Sequence, residues 1–142
     1  MSKYKKLMPK SELLISILQV YQNLNSQLRA YLKPYGITLQ QYNVLKILQG
    51  AKQPLTTSVI RERMIEPMAD TSRLVERLSA KGLVYRNTCC GDKRLVDVTI
   101  SNEGSTFLEK MPDIDKVLNR VFGNIDFDET KRLNSLLDKL RS

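Results

Sequence analysis

The spacing of apolar residues departs from helical in one stretch of the chain, and that departure limits the fold more than any total. Up to Leu83 the pattern is helical. From Leu95 to Ile100 it alternates, with Val96, Val98 and Ile100 against Leu95, Asp97 and Thr99, which is the period of a half-buried strand. With Leu83 to Asn87 as a partner strand and Cys90-Gly91-Asp92-Lys93 as the loop, this is one β-hairpin set among helices.

The helices on either side carry their own punctuation. Leu14, Ile17, Leu18, Tyr21, Leu24, Leu28, Tyr31 and Leu32 give one long helix from Leu13 to Tyr35, left through Pro34 and Gly36. Thr38-Leu39-Gln40-Gln41 reads as a capping box for a second helix that buries Tyr42, Leu45 and Leu48 and stops at Gly50. The stretch Leu55-Thr56-Thr57-Ser58 opens a short third helix before Val59, Ile60 and Met64. Glu66-Pro67 starts a fourth, with Leu74, Val75 and Leu78 inward and Gly82 as its stop. After the hairpin, Ser101 caps a helix from about residue 102 that carries Phe107, Leu108, Met111, Ile114, Leu118, Val121 and Phe122 and bends at Pro112, and Asp126-x-x-Glu129 opens the last one.

A helix pair followed by a two-stranded hairpin is a winged helix-turn-helix. The fold class expected is therefore mainly α with a small β-hairpin wing, flanked by N- and C-terminal dimerisation helices. The winged part covers about residues 38–100 of one domain, the dimerisation helices about 10–35 and 102–142. Those outer helices carry more apolar surface than one small core needs, and a second copy related by a two-fold axis is the expected cover.

Composition narrows the function. The chain of 142 residues has a net charge of +8 and no histidine. Residues 55–100, where the helix pair and hairpin fall, hold eight basic and six acidic residues, a balance of only +2. Basicity thus permits a polyanion without demanding one. Without histidine, a Gly-rich phosphate loop or a nucleophile motif, catalysis has no machinery to point to. Two neighbouring cysteines are too few for a metal site, so neither metal nor cofactor is expected. No apolar run approaches a membrane span, and a cytoplasmic location is expected.

Three stretches in order resemble the MarR family of bacterial transcription regulators. ITLQQYNVLKIL is similar to that family's second helix, DTSRLVERLSAKGLVYR to its recognition helix and first wing strand, and GDKRLVDVTISNEG to its Asp-x-Arg wing. The resemblance covers nearly the whole chain. It implies a homodimer on double-stranded palindromic operator DNA, a repressor released by a small, often aromatic effector or by thiol oxidation.

The site residues follow from the helix face and the resemblance together. Ala69, Asp70, Thr71, Ser72, Arg73 and Arg77 are the recognition-helix candidates, with Glu76 also outward. Arg73 can fork to guanine, while Asp70, an acid near phosphates, is expected to cap the helix, hold Arg73 or accept from cytosine. Lys93 and Arg94 suit a narrow minor groove, with Asp92 pinning Arg94, the role the resemblance implies. Tyr21, Tyr31, Tyr42 and Phe107 are candidates for an effector cleft, against the simpler reading of aromatic core. Cys89 and Cys90 are plain turn residues or a redox input whose thiol pKa Arg86, Lys93 and Arg94 would lower. Two other functions stay open: a winged-helix module that binds protein only, and a thiol-based sensor.

Overall fold

The structure, a computed structural model, describes residues 9–67, 70–88 and 96–142. It divides into two compact units, a winged unit of residues 32–112 and a terminal unit of residues 9–31 and 113–142.

In the winged unit the helices that follow Thr38, Thr56 and Ser101 begin where a side chain takes over the backbone's unpaired amides. Helix α1 (Pro9–Leu32) ends in a single 3-10 turn at Lys33–Tyr35, so the long helix stops three residues short of the expected Tyr35. Pro34 tightens the turn because it cannot donate into a continuing α-helix. Helix α2 (Leu39–Gly50) opens on the expected capping box: Gln41 N–H donates to Thr38 Oγ1 at 3.1 Å, and Thr38 N–H donates to Gln41 Oε1 at 3.0 Å. Helix α3 (Thr57–Arg63) starts at Thr56, whose hydroxyl accepts from Val59 N–H at 3.2 Å.

Helix α4 (Thr71–Ala80) begins four residues after Pro67, so that proline does not open it as the sequence suggested. The start falls instead where Thr71 turns inward: it is 2% exposed, with Oγ1 3.9 Å from the sulfur of buried Met64. The other end matches expectation. Gly82 adopts a left-handed φ of 75°, and Leu83 N–H reaches back to the Leu78 carbonyl at 3.0 Å, the long bond of a Schellman cap.

Strands β2 (Val84–Thr88) and β3 (Val96–Ile100) pair antiparallel, with Val84 opposite Ile100 and Arg86 opposite Val98. A third strand, β1 (Leu55–Thr56), lies on the far side of β3 with Leu55 opposite Val98, giving the order β1-β3-β2. Sequence reasoning used those residues only as a helix cap. Val44, Leu45, Ile60, Val75, Leu78 and Val98 are fully enclosed and form the core where α2, α3, α4 and the sheet meet.

Helix α5 (Asn102–Lys110) is seated on that core by two residues. Ser101 Oγ accepts from Gly104 N–H at 2.9 Å and donates to the Gly82 carbonyl at 2.6 Å, joining α5 to the turn after α4. Gly104 lies against the backbone of Leu83, where a Cβ would collide with its carbonyl and with Ile100.

The terminal unit holds most of α1 together with α6 (Asp115–Phe122) and α7 (Phe127–Arg141). The single bent helix expected between residues 102 and 122 is two helices, because Met111 turns extended at ψ 141°. A residue preceding proline is pushed out of helical conformation, so Pro112 ends α5 rather than bending it. Helix α7 opens on the expected capping box, Asp126 with Glu129. Val117 is the one buried side chain among the described residues of this unit.

Candidate nucleic-acid interface

Helix α4 sorts its side chains cleanly. Thr71, Leu74, Val75 and Leu78 are buried, while Ser72, Arg73, Glu76 and Arg77 are exposed. At about 100° per residue, Glu76 and Arg73 flank the most outward line of the helix, with Ser72 and Arg77 at the edges. Two cationic forks and a hydroxyl thus stand on one convex surface, beside one carboxylate.

The approach to this surface is fixed from below. Asn43 on α2 accepts the Ile65 N–H through Oδ1 at 2.9 Å, which pins the segment between α3 and α4. Beyond the helix, Lys81 donates through Nζ to the Gly36 carbonyl at 2.7 Å. The first bond fixes the segment just after α3, and the second ties the C-terminal end of α4 to the turn that precedes α2.

Several candidates land differently from expectation. Thr71 cannot be a side-chain contact for nucleic acid, because its hydroxyl is spent inside the core near Met64. Asp70 occupies the N-cap position of α4 but makes no side-chain capping bond; at φ −97° and ψ 33° its backbone lacks the extended conformation in which a cap side chain reaches back to the first turn. Ala69 in the approach, and Cys89, Cys90, Asp92, Lys93 and Arg94 at the hairpin tip, lie outside the described residues.

Among the aromatics, Phe107 packs edge-on against Tyr35 at 6.3 Å and 88°. It also lines an open groove of about 390 Å³ with Leu83, Asn102, Glu103, Thr106 and Lys110. Tyr42 on α2 is half-buried, and that burial raises its phenol pKa. Tyr21 and Tyr31 belong to the terminal unit, Tyr42 and Phe107 to the winged one.

One residue pair escaped the sequence reading. Arg86 on β2, considered there only as a neighbour of the cysteines, sits 3.6 Å from Glu76 on α4, Nη1 to Oε1. The two are ten positions apart and separated by the Gly82 turn, so no local spacing rule links them.

Comparison with known proteins agrees with this architecture. Residues 35–95 match the MarR family model. The transcriptional repressor MdtR of Bacillus subtilis is 28% identical over 71% of this chain and 64% of its own length, so the chain spans a little under two thirds of that relative. A cysteine-to-serine variant of MarR from E. coli, crystallised with operator DNA, is 26% identical with a TM-score of 0.78 over 99% of both chains. The organohalide-sensing regulator RdhR in its 2,4-dichlorophenol-bound form shares the fold, with a TM-score of 0.82 at 21% identity over 99% of this chain and 84% of its own. The family model spans all of α4, and a MarR structure superposes over nearly the whole chain, so this chain is similar to MarR-family proteins in sequence over residues 35–95 and in fold throughout.

Proposed function

We propose that the chain is a sequence-specific DNA-binding transcription regulator, a homodimeric repressor that a small aromatic effector releases from a palindromic operator. The observation that carries this is the two-faced α4: one side is locked into the winged core, and the other offers Ser72, Arg73 and Arg77 to a groove. MdtR is a transcriptional repressor and the E. coli MarR structure holds operator DNA, which supports the same role here.

In this reading α4 enters the major groove. The Arg73 guanidinium forks to a guanine O6 and N7, and Ser72 and Arg77 bond to neighbouring base edges or phosphates. Lys93 and Arg94 at the wing tip reach the flanking minor groove, with Asp92 steadying Arg94. Base contacts choose the sequence; phosphate contacts hold the register and make affinity fall with salt. Such a regulator works beside the chromosome, in the cytoplasm.

The second copy is needed to cover the terminal helices. Leu14, Ile17, Leu18 and Tyr21 on α1 and Leu133, Leu136, Leu137 and Leu140 on α7 repeat the same spacing of i, i+3, i+4 and i+7, and all are at least 37% exposed. An effector that favours one spacing of the two heads lowers DNA affinity by its difference in binding to the two states. The ligand-bound form of RdhR supports a small phenolic compound as the effector class, with Phe107 and the groove it lines in the winged unit as a candidate to meet it.

The test is binding of the intact protein to its footprinted operator and to random duplex across a salt series. Arg73→Ala is expected to cost about 1–3 kcal/mol at one or two base positions, and Arg94→Ala to weaken every duplex alike. Salt-independent behaviour, with no duplex bound, would instead favour a protein-binding module, the reading to which the slight +2 balance of residues 55–100 leans. An unchanged peroxide response in a Cys89→Ser, Cys90→Ser variant removes the thiol sensor.

A further inference from the structure

Glu76 and Arg86 join the reading helix to the first wing strand by their charges. Arg86 is anchored in the sheet opposite fully buried Val98 and on the same face as buried Val84. Its stem therefore leaves a fixed point, while its side chain is 39% exposed and that of Glu76 58%. A pair this open and 3.6 Å long adds little to stability, so its placement calls for another reason.

The duplex supplies one. A sugar-phosphate strand separates every major groove from the minor groove beside it. If α4 lies in one and the wing in the other, that strand crosses the junction of α4 and β2, where Arg86 stands. A guanidinium carries five donors in one plane, and the contact to Glu76 at 3.6 Å holds it by charge without spending a short hydrogen bond, which leaves its donors for a phosphate. Arg86 lies outside the recognition-helix and wing-tip residues expected from sequence, and Glu76 is an acid on a face that meets polyanion. Holding Arg86 accounts for that acid.

We infer that Arg86 is a phosphate-binding residue at the junction of α4 and β2, and that Glu76 is the positioning residue that holds its guanidinium there. This rests on the DNA-binding reading. Glu76 limits the directions the long side chain can take, so fewer conformers are lost when the phosphate arrives.

The experiment measures affinity of the full-length protein for operator and for random duplex over a salt series. Arg86→Gln is expected to weaken both duplexes by the same factor, about tenfold, as loss of a charge-assisted bond does, and to flatten the slope of log affinity against log salt by about 0.9 per protomer. Glu76→Asp keeps the charge but draws the carboxylate back by one methylene. It is expected to weaken binding about threefold in the parent and not at all in the Arg86→Gln background, a non-additivity that a general charge effect does not produce. Both sites are exposed, and thermal unfolding of the variants is expected to match the parent. An Arg86→Gln protein with the parent's salt slope overturns the phosphate contact. A Glu76→Asp effect of equal size in both backgrounds overturns the positioning role. A parent that binds neither duplex overturns the DNA-binding reading itself, a result separate from either.

Discussion

Val44, Leu45, Ile60, Val75, Leu78 and Val98 in the winged unit are sealed from water, whereas Leu14, Leu18, Leu136 and Leu140 on the terminal helices each keep more than half of their surface open. Apolar side chains of the same kind meet opposite fates in the two units. Short elements in the winged unit face several neighbours at once and close their own core. The terminal helices present long stripes that remain uncovered within the chain. Apolar periodicity states that a face wants covering, and says nothing about whether the cover comes from the same molecule.

The sharpest way to break this contrast is at the densest point of the winged unit. Gly104→Val drives a branched side chain into the Leu83 carbonyl and Ile100 and is expected to cost about 3 kcal/mol or more, as overpacking against backbone does. A urea unfolding midpoint equal to the parent's would show the seat of α5 to be looser than its geometry. The converse test addresses the open stripe. Leu14→Glu with Leu18→Glu removes apolar area worth about 1.5–3 kcal/mol per leucine when buried. If the proposed dimer forms through this stripe, the change is expected to leave monomers in sedimentation, with the winged unit still folded by circular dichroism. Dimers that survive the change would locate the interface elsewhere.

Smaller changes sharpen the comparison. Ser101→Ala deletes a helix cap and the bond to the Gly82 carbonyl, and is expected to lower stability by about 1–2 kcal/mol in thermal unfolding. Tyr42 gives the smallest effect. Burial lifts its phenol above the ordinary value of 10.0, so the folded state holds its proton more tightly than the unfolded chain. Its contribution is complete below pH 10 and is lost as pH climbs through the raised value. Tyr42→Phe is expected to flatten the fall of stability above pH 10, read from unfolding midpoints along an alkaline series.

What the sequence disclosed, and what it hid, follows the reach of local rules. The inward and outward residues of α4, the two capping boxes and the Gly82 stop are set by neighbours within a turn or two, and the structure places them as the pattern implied. Thr71 misled because a hydroxyl that suits a phosphate also suits a buried sulfur, and only packing against Met64 decides between them. Strand β1 is two residues long and owes its pairing to Val98, more than forty positions away. Glu76 and Arg86 likewise meet through the turn of the fold, which no helical or alternating period encodes.

The division of α4 into an enclosed face and a wet one has a consequence for how such a protein acquires new targets. Thr71, Leu74, Val75 and Leu78 hold the helix in place, while Ser72, Arg73 and Arg77 take no part in that grip. Under the proposed DNA-binding role, the outward positions work like type set in a fixed frame: the letters can be exchanged while the press stays the same, and a changed target requires no relearning of the fold.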